Sequence, residues 1–479
     1  MSKITNRLIP VMLAVMLISA FFSPAPVKAQ STGLQYTVLE GDTIDSIAAA
    51  FHTTPFRIRQ INYIADMDYI YPGQHLLIPG FDDVQGEVIR VNQPFGRSLL
   101  GYFGSLHQPM SLLMRLNFIT NADQTWAGAP LYIIYTGIPS VKEIPVTEGL
   151  TGLETAVKQG VNSWTLAEYN NLRGPWMLTP NTSLFLPDTT AVAGVQSETA
   201  PAMTVSPFPM LQGKTTELIT NAPPEGAALS GSLRMSINDS LGTDPNYTSV
   251  QFPLHFFPSD DGRMIALQGV HRFTRPGLAA MVITTTYPEG STFSYQENLM
   301  IKTYDYGVGA PITVDASYID PAVTIPEWKL IESKVQDAPP QKEWINGLQS
   351  PSPSTGDWIS RYGLVRSYND SDYVYFHSGI DFQGNKSTPI FAAAAGTVVF
   401  VAENLEVRGG ATIISHGRGV YTAYYHQSQI DVKEGDHVEA GQTIGMVGDK
   451  GRVTGPHLHF EVFVGGVQVD PLEWLQGMY

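Results

Sequence analysis

Apolar and polar residues follow different rhythms in successive stretches of the chain, and each rhythm predicts its own kind of element. The run from Leu8 to Phe22 is mostly apolar, with Lys3 and Arg7 before it and Ser23, Pro24 and Pro26 after it. At about 1.5 Å of rise each, these residues fall short of the roughly 20 that a comfortable membrane span needs. With Val27-Lys28-Ala29 behind it, the segment reads as a secretory signal peptide over 1–29, cleaved before Gln30. No later stretch reaches 18 uninterrupted apolar residues, so no stable membrane span is expected after cleavage. The expected location is secreted or periplasmic.

The pattern then becomes helical. Tyr36-Thr37-Val38 is strand-like, Gly41-Asp42-Thr43 turns the chain, and Asp42 or Thr43 is available as a helix cap. Ile44, Ile47, Ala48 and Phe51 share one helical face, Pro55 stands near the start of a second helix with Ile58 and Ile61, and Leu76-Leu77-Ile78-Pro79 closes as a strand. Strand, helix, helix and strand over 34–80 make a small α+β module. Its strings GDTIDSIAAAF and PGQHLLIP, with Asn62 between them, resemble the LysM family closely. That resemblance implies binding to N-acetylglucosamine-containing glycans, in peptidoglycan or a chitin-like polymer. Weaker versions are expected over 88–135 and 140–188, because the starting glycines Gly41, Gly96 and Gly149 are 55 and 53 residues apart. Trp126, Trp164 and Trp176 are candidates for stacking on sugars, or equally for filling small cores.

Residues 189–207 are small, polar and Pro-bearing, the composition of a linker. Over 208–335 short strand-like runs such as Gln251–Phe257, Arg263–Val270, Ala279–Thr286 and Leu299–Tyr304 are separated by turn residues, which predicts an all-β sandwich. The layout resembles the immunoglobulin-like domain that precedes the catalytic domain in some bacterial cell-wall peptidases. Pro339-Pro340 and Pro351-Ser352-Pro353 then read as a second connecting stretch. Charge narrows the partners: 44 acidic against 28 basic residues give −16, or −19 once the three cations of 1–29 are removed (−16 − 3). A chain so acidic has no electrostatic basis for binding nucleic acid. The absence of Cys removes disulfides and thiolate chemistry together.

The last 103 residues hold six of the eleven histidines: His377, His416, His426, His437, His457 and His459. Strand patterns dominate here, at Gly396–Ala402, Ala411–Ser415, Val420–Tyr425 and Leu458–Val464. In His457-Leu458-His459 the two imidazoles at i and i+2 face one side of a strand while Leu458 faces the other. His377-Ser378-Gly379-Ile380-Asp381 adds an imidazole and a carboxylate, with Gly379 permitting a tight bend. Two histidines and one carboxylate suit zinc with one coordination position left open. His426 ends a Tyr-Tyr-His strand and is a further candidate; spacing does not say which member of His457-Leu458-His459 binds metal. No His-Glu-x-x-His motif or Gly-x-Ser-x-Gly elbow is present.

Residues 354–479 resemble the catalytic domain of lysostaphin/LytM-type zinc metalloendopeptidases, through the strings HSGIDF, PIFAAAAGTVVFVA, IISHGRGVYTAYYH, VKEGDHVEAGQTIGMVG and TGPHLHFEV. The resemblance implies one Zn2+ held by His377, Asp381 and His459, with His426 and His457 as catalytic non-ligand histidines. It also implies a hydrolase acting on stem or cross-bridge peptides of peptidoglycan, so the partners are peptidoglycan glycan and peptide. The alternative is a noncatalytic wall-binding activator or scaffold for other murein hydrolases. The expected fold class is multidomain: small α+β LysM-like modules, an all-β immunoglobulin-like sandwich, and a C-terminal mostly antiparallel β peptidase domain.

Overall fold

The computed structural model describes residues 33–65, 70–96, 99–106, 108–121, 124–135, 141–149, 151–159, 180–187, 203–238, 247–354, 358–369 and 374–479, with positions 161, 162, 164, 166, 167, 170, 172 and 356 besides. The expected signal peptide, residues 189–202 of the expected linker, and Trp176 lie outside them. Two compact units result: Met1–Ile89 with Tyr132–Gly137, and Arg90–Leu131 with Ile138–Tyr479.

In the first unit the two helices run Ile44–Ala50 and Pro55–Asn62. Thr43 is the cap, in a reciprocal capping box with Ser46. Asp42 instead accepts from the Leu39 N–H and the Tyr36 hydroxyl, each at 2.8 Å, and so pins the turn before the helix. Asn62 ties helix to sheet: its Nδ2 donates to the carbonyls of Ile58 (2.8 Å) and Leu77 (2.9 Å), and its Oδ1 accepts the Leu77 N–H at 2.7 Å. The sheet is four-stranded, in the order His75–Leu77, Leu34–Thr37, Gly86–Asn92, Pro130–Tyr135. The strand at Gly86, expected to open a separate module, here pairs parallel to Leu34–Thr37, with Leu34 opposite Gly86. Pairing removes the exposed edge that Leu34–Thr37 would otherwise present.

In the second unit, Val141–Pro145 pairs antiparallel with Ser183–Pro187, with the Gly152–Lys158 helix between them in sequence. Asn170 repeats the Asn62 arrangement, donating to the Leu166 and Phe185 carbonyls and accepting from the Phe185 N–H at 2.7 Å. Trp164 is 58% exposed.

Two antiparallel-rich sheets follow, one of five strands and one of four, packed over a common core that includes Leu218, Ala266, Leu233, Met281 and Leu299. Their extents differ from those expected in three respects. Met203–Ser206, placed in the linker, is a strand paired with Thr215–Thr220 through buried Met203 and Val205. The last strand begins at Thr292 rather than Leu299, because Phe293, Tyr295 and Glu297 alternate inward along Gly277–Thr286. Beyond Lys302 the chain leaves these sheets and forms a helix at Pro321–Lys334, whose Trp328 and Ile331 pack with Tyr421, Tyr425 and Phe463. The stretch at 336–353, expected as a connection, lies against the C-terminal sheet: Trp344 and Leu348 are buried in its core, and Trp344 meets Trp474 edge-on at 5.6 Å.

The C-terminal sheet has the strand order Trp358–Ser360, Ile380–Gln383, His457–Val464, Val420–Ile430, Gly409–Ser415, Gly396–Leu405, His437–Val438. Gly409–Ser415 and Val420–Ile430 form the expected hairpin. Gly465-Gly466, both at positive φ, turn the chain so that Val464 pairs with Val467. Phe382 and Leu458 lie opposite each other and fully buried, on the face away from the histidines. Leu458→Ala would open a cavity costing about 2–5 kcal/mol, which is the packing that holds the histidine strand in place.

Candidate metal centre

Strand register sets the site. Asp381 is opposite His459, and His459 is opposite Tyr425, so three neighbouring strands put their functional residues in one row. Gln383 is opposite His457, one pleat along the same face. Gly379 stands at the expected bend and meets a second constraint: a Cβ there would stand 2.2 Å from the Phe460 carbonyl oxygen and 3.0 Å from His459 Nε2. Only glycine lets the chain pass close enough to bring His377 and Asp381 to the same point. His426 reaches it by backbone strain, at φ +63 where the ladder with the Gly409–Ser415 strand is irregular.

The donor atoms converge tightly. His377 Nε2 is 3.0 Å from Asp381 Oδ1 and 3.1 Å from His459 Nδ1, and His459 Nδ1 is 2.8 Å from Asp381 Oδ1. In a tetrahedral zinc site with bonds of about 2.0–2.1 Å, neighbouring ligands are separated by about 3.4 Å, so these three atoms fit one face of such a site. The tautomers fit as well. His377 Nδ1–H donates to the Arg361 carbonyl at 2.8 Å, and His459 Nε2–H donates to Glu461 at 3.1 Å. Each hydrogen bond leaves the opposite nitrogen free to ligate, an arrangement typical of metal-binding histidines.

Charge points the same way. Burial pulls the His459 pKa down, yet the hydrogen bonds its ring donates to Asp381 and Glu461 outweigh it and push the group up to about 9. Burial alone would raise the Asp381 carboxyl, but His377 and His459 hold it well below the usual range. The two carboxylates thus favour positive charge at this point, which a cation at Nδ1 would supply in place of the His459 proton. Glu461 is buried and clamped by Ser378 Oγ (2.5 Å) and Gln468 Nε2 (2.8 Å).

All five expected residues line one cavity of 120 Å³. His426 and His457 have ring centroids 4.9 Å apart, and each Nδ1–H donates to a carbonyl at 2.8 Å, of Lys450 and Gly455 respectively. These bonds use neither Nε2 atom, which leaves both available to water or substrate; His457 Nε2 is 3.7 Å from Asp381 Oδ1. Burial, with His457 and His459 next, keeps the His426 pKa well below its ordinary value. His416 stands apart, fully buried between the Ala395 carbonyl and Thr422, with its pKa lowered to about 4 by burial. His437 is exposed.

Residues 375–471 match Peptidase family M23, and residues 36–79 match the LysM domain. The C-terminal domain belongs to peptidase family M23. The M23 domain is 42% identical over 97 residues to a peptidoglycan DD-endopeptidase, ShyA, of Vibrio cholerae serotype O1, covering 20% of this chain and 22% of the relative. It is 42% identical over 96 residues to the DD-carboxypeptidase/endopeptidase Mpg of Neisseria meningitidis serogroup B, again 20% and 22% of the two chains. Among solved structures, the antimicrobial peptidase lysostaphin from Staphylococcus simulans is 29% identical, covering 28% of this chain and 52% of its own, at a TM-score of 0.22. The chain thus spans about a fifth of the length of the curated relatives it matches.

Two features of the M23 domain's site were not found by sequence reasoning. Glu461 is one; it follows His459 by two residues on the same strand face, a spacing that was available as a signal. The other is a strap. Residues 307–314 run parallel to Val365–Ser367, with Gly309 N–H donating to the Val365 carbonyl and Ile312 N–H to that of Ser367. Ile312 and Val314 line the cavity above the histidines. Nothing in a turn-rich stretch reveals which edge it will pair with.

Proposed function

We propose that the protein is a secreted, zinc-dependent endopeptidase that hydrolyses peptide bonds in stem or cross-bridge peptides of peptidoglycan, brought to its substrate by LysM glycan binding. The observation that carries this is the convergence of His377, Asp381 and His459 to within 3.1 Å, beside two further histidines whose Nε2 atoms are not engaged by the bonds their Nδ1 atoms make. All five positions are filled, which favours an enzyme over a noncatalytic scaffold.

A zinc ion held by His377 Nε2, Asp381 Oδ1 and His459 Nδ1 would supply Lewis acidity, polarising the scissile carbonyl and lowering the pKa of a water. The protein does the rest. His426 or His457 accepts the water's proton at Nε2, since both Nδ1 positions are already donating to carbonyls. The partner imidazole, when it carries a proton at Nε2 as well as at Nδ1, donates that Nε2–H to the oxyanion, and the proton captured from water passes to the leaving amine. Glu461 fixes the His459 ring through its Nε2–H.

The other regions have supporting roles. The 140–188 segment is proposed as a LysM-like module, supported by Asn170 repeating the Asn62 bonding pattern. The 88–135 segment is proposed as another, on its strand–helix–helix–strand order. The two-sheet region is proposed as an immunoglobulin-like sandwich. Export rests on the basic and apolar pattern of residues 1–29; among the described residues no helix is long and apolar enough to cross a membrane.

The test is digestion of purified murein of known cross-link chemistry by the full-length mature protein, with products identified by mass. Activity should vanish with a chelator and return with zinc. Unchanged murein under zinc-replete conditions would defeat the reading. Deleting residues 30–190 should lower retention on insoluble wall more than it lowers cleavage of a soluble peptide.

A further inference from the structure

The cavity over the candidate metal centre is lined by three arginines, Arg366, Arg408 and Arg452. Arg408 is already paired: its Nη1 is 2.9 Å from Glu327 Oε1, and the same carboxylate accepts the N–H groups of Val407 and Arg408. Arg366 and Arg452 meet no carboxylate among the described residues. Arg366, on the Val365–Ser367 strand, donates to the Ser360 hydroxyl. Arg452, in the loop between the Thr443–Val447 and His457–Val464 strands, lies 4.8 Å over the Tyr368 ring. Its Nη1 donates to the Tyr318 carbonyl at 3.3 Å, a neutral acceptor on the segment that follows the strap.

The charges lining the cavity do not balance. Its acids are Asp381 and Glu461, and both are turned toward imidazoles. A divalent ion at the three-residue cluster would be offset by those two carboxylates. The guanidiniums of Arg366 and Arg452 would then remain in excess, in a chain whose net charge is −16. Half-buried cations without an anion are unfavourable unless a ligand supplies one. A guanidinium fork matches a carboxylate geometrically, and a site built for that group discriminates against an analogue lacking it.

We propose that Arg366 and Arg452 bind a free carboxylate on the peptide beside the scissile amide, so that the preferred substrate is an acidic peptide rather than a neutral glycine-type bridge. The incoming carboxylate replaces the Tyr318 carbonyl on Arg452. This rests on the peptidase reading above and goes beyond it by assigning the substrate's charge and the residues that read it.

Two soluble cross-linked peptides that differ only in whether this carboxylate is free or amidated provide the test, with kcat/KM measured for the zinc-loaded full-length protein. The free acid should be preferred by about 10-fold or more, the size of a charge-assisted hydrogen bond, and added salt should reduce the preference. Arg452→Gln and Arg366→Gln should each draw the ratio toward one, mainly through KM, while Arg452→Lys should keep part of it. Equal kcat/KM on the two peptides for the unmodified protein, or a ratio unmoved in both Gln variants, would overturn the proposal alone. Cleavage of neither peptide would overturn it together with the peptidase reading.

Discussion

Two groups of buried carboxylates in this protein meet opposite fates. At the candidate metal centre Asp381 and Glu461 face two imidazoles, and both carboxyls sit below their ordinary pKa range despite burial. Where the M23 domain packs on the two-sheet region, Asp470 and Glu473 share one ammonium. Lys214 Nζ is 2.8 Å from Asp470 Oδ2 but 3.5 Å from Glu473 Oε1, and the latter oxygen has no hydrogen bond. There burial wins, and the Glu473 carboxyl is pushed up to about 7. The lesson is stoichiometric: a buried carboxylate remains charged when a positive group is matched to it, and otherwise takes up a proton. The first group is arranged for cation chemistry and the second for holding two domains together.

The largest effect should come from removing the carboxylate that the first group is built around. Asp381→Ala should lose stoichiometric zinc by elemental analysis and reduce murein cleavage by about a thousandfold or more. His459→Ala should behave likewise. A variant with full activity and full zinc would break the comparison outright.

His457→Ala should separate chemistry from binding. With His377, Asp381 and His459 intact, zinc content should hold while kcat falls by about 10²–10⁴, the usual range for a lost general acid or base. Near-normal turnover would remove His457 from the mechanism.

Much of this first group was legible from residue order. Period-two geometry placed His457 and His459 on one face, and the resemblance to a known family assigned the ligand. The legible cases were local in sequence, because a strand fixes the direction of its own side chains. Gly379 was legible as a bend, but the close approach to Phe460 that also demands glycine was not, since it depends on a strand 81 residues away (460 − 379). The helix at Pro321–Lys334 escaped a reading tuned to short strands; Pro326 lies inside it and its apolar residues follow no strong single-face pattern. The Lys214, Asp470 and Glu473 group was invisible for the same reason as the strap: its members come from distant parts of the chain, and no spacing rule connects them.

Glu461→Gln tests whether the matched charge matters beyond geometry. The amide keeps an oxygen to accept the His459 Nε2–H but removes the negative charge, so zinc affinity should fall by about 10–100-fold, read by competition with a chromophoric chelator. An unchanged affinity would mean that Glu461 only fills space.

The smallest effect on catalysis, and the sharpest on the comparison, is expected at Glu473. Its folded pKa of about 7 lies above the ordinary 4.5. As pH rises from 4.5 toward 7 the unfolded chain releases this proton first, so the folded state holds more protons and loses stability through that window. The glutamine side chain resembles the protonated form and has nothing to lose. Glu473→Gln should therefore be the more stable protein at pH 8, by about 3 kcal/mol at most, with the advantage shrinking as pH falls toward 4.5. Lys214 would keep Asp470 at 2.8 Å as its partner, so the contact between the domains survives the change. Urea unfolding at pH 5 and pH 8 measures this directly. If Glu473→Gln were the less stable protein at pH 8, the carboxylate would be contributing as a charge, and the contrast with Asp381 and Glu461 would disappear.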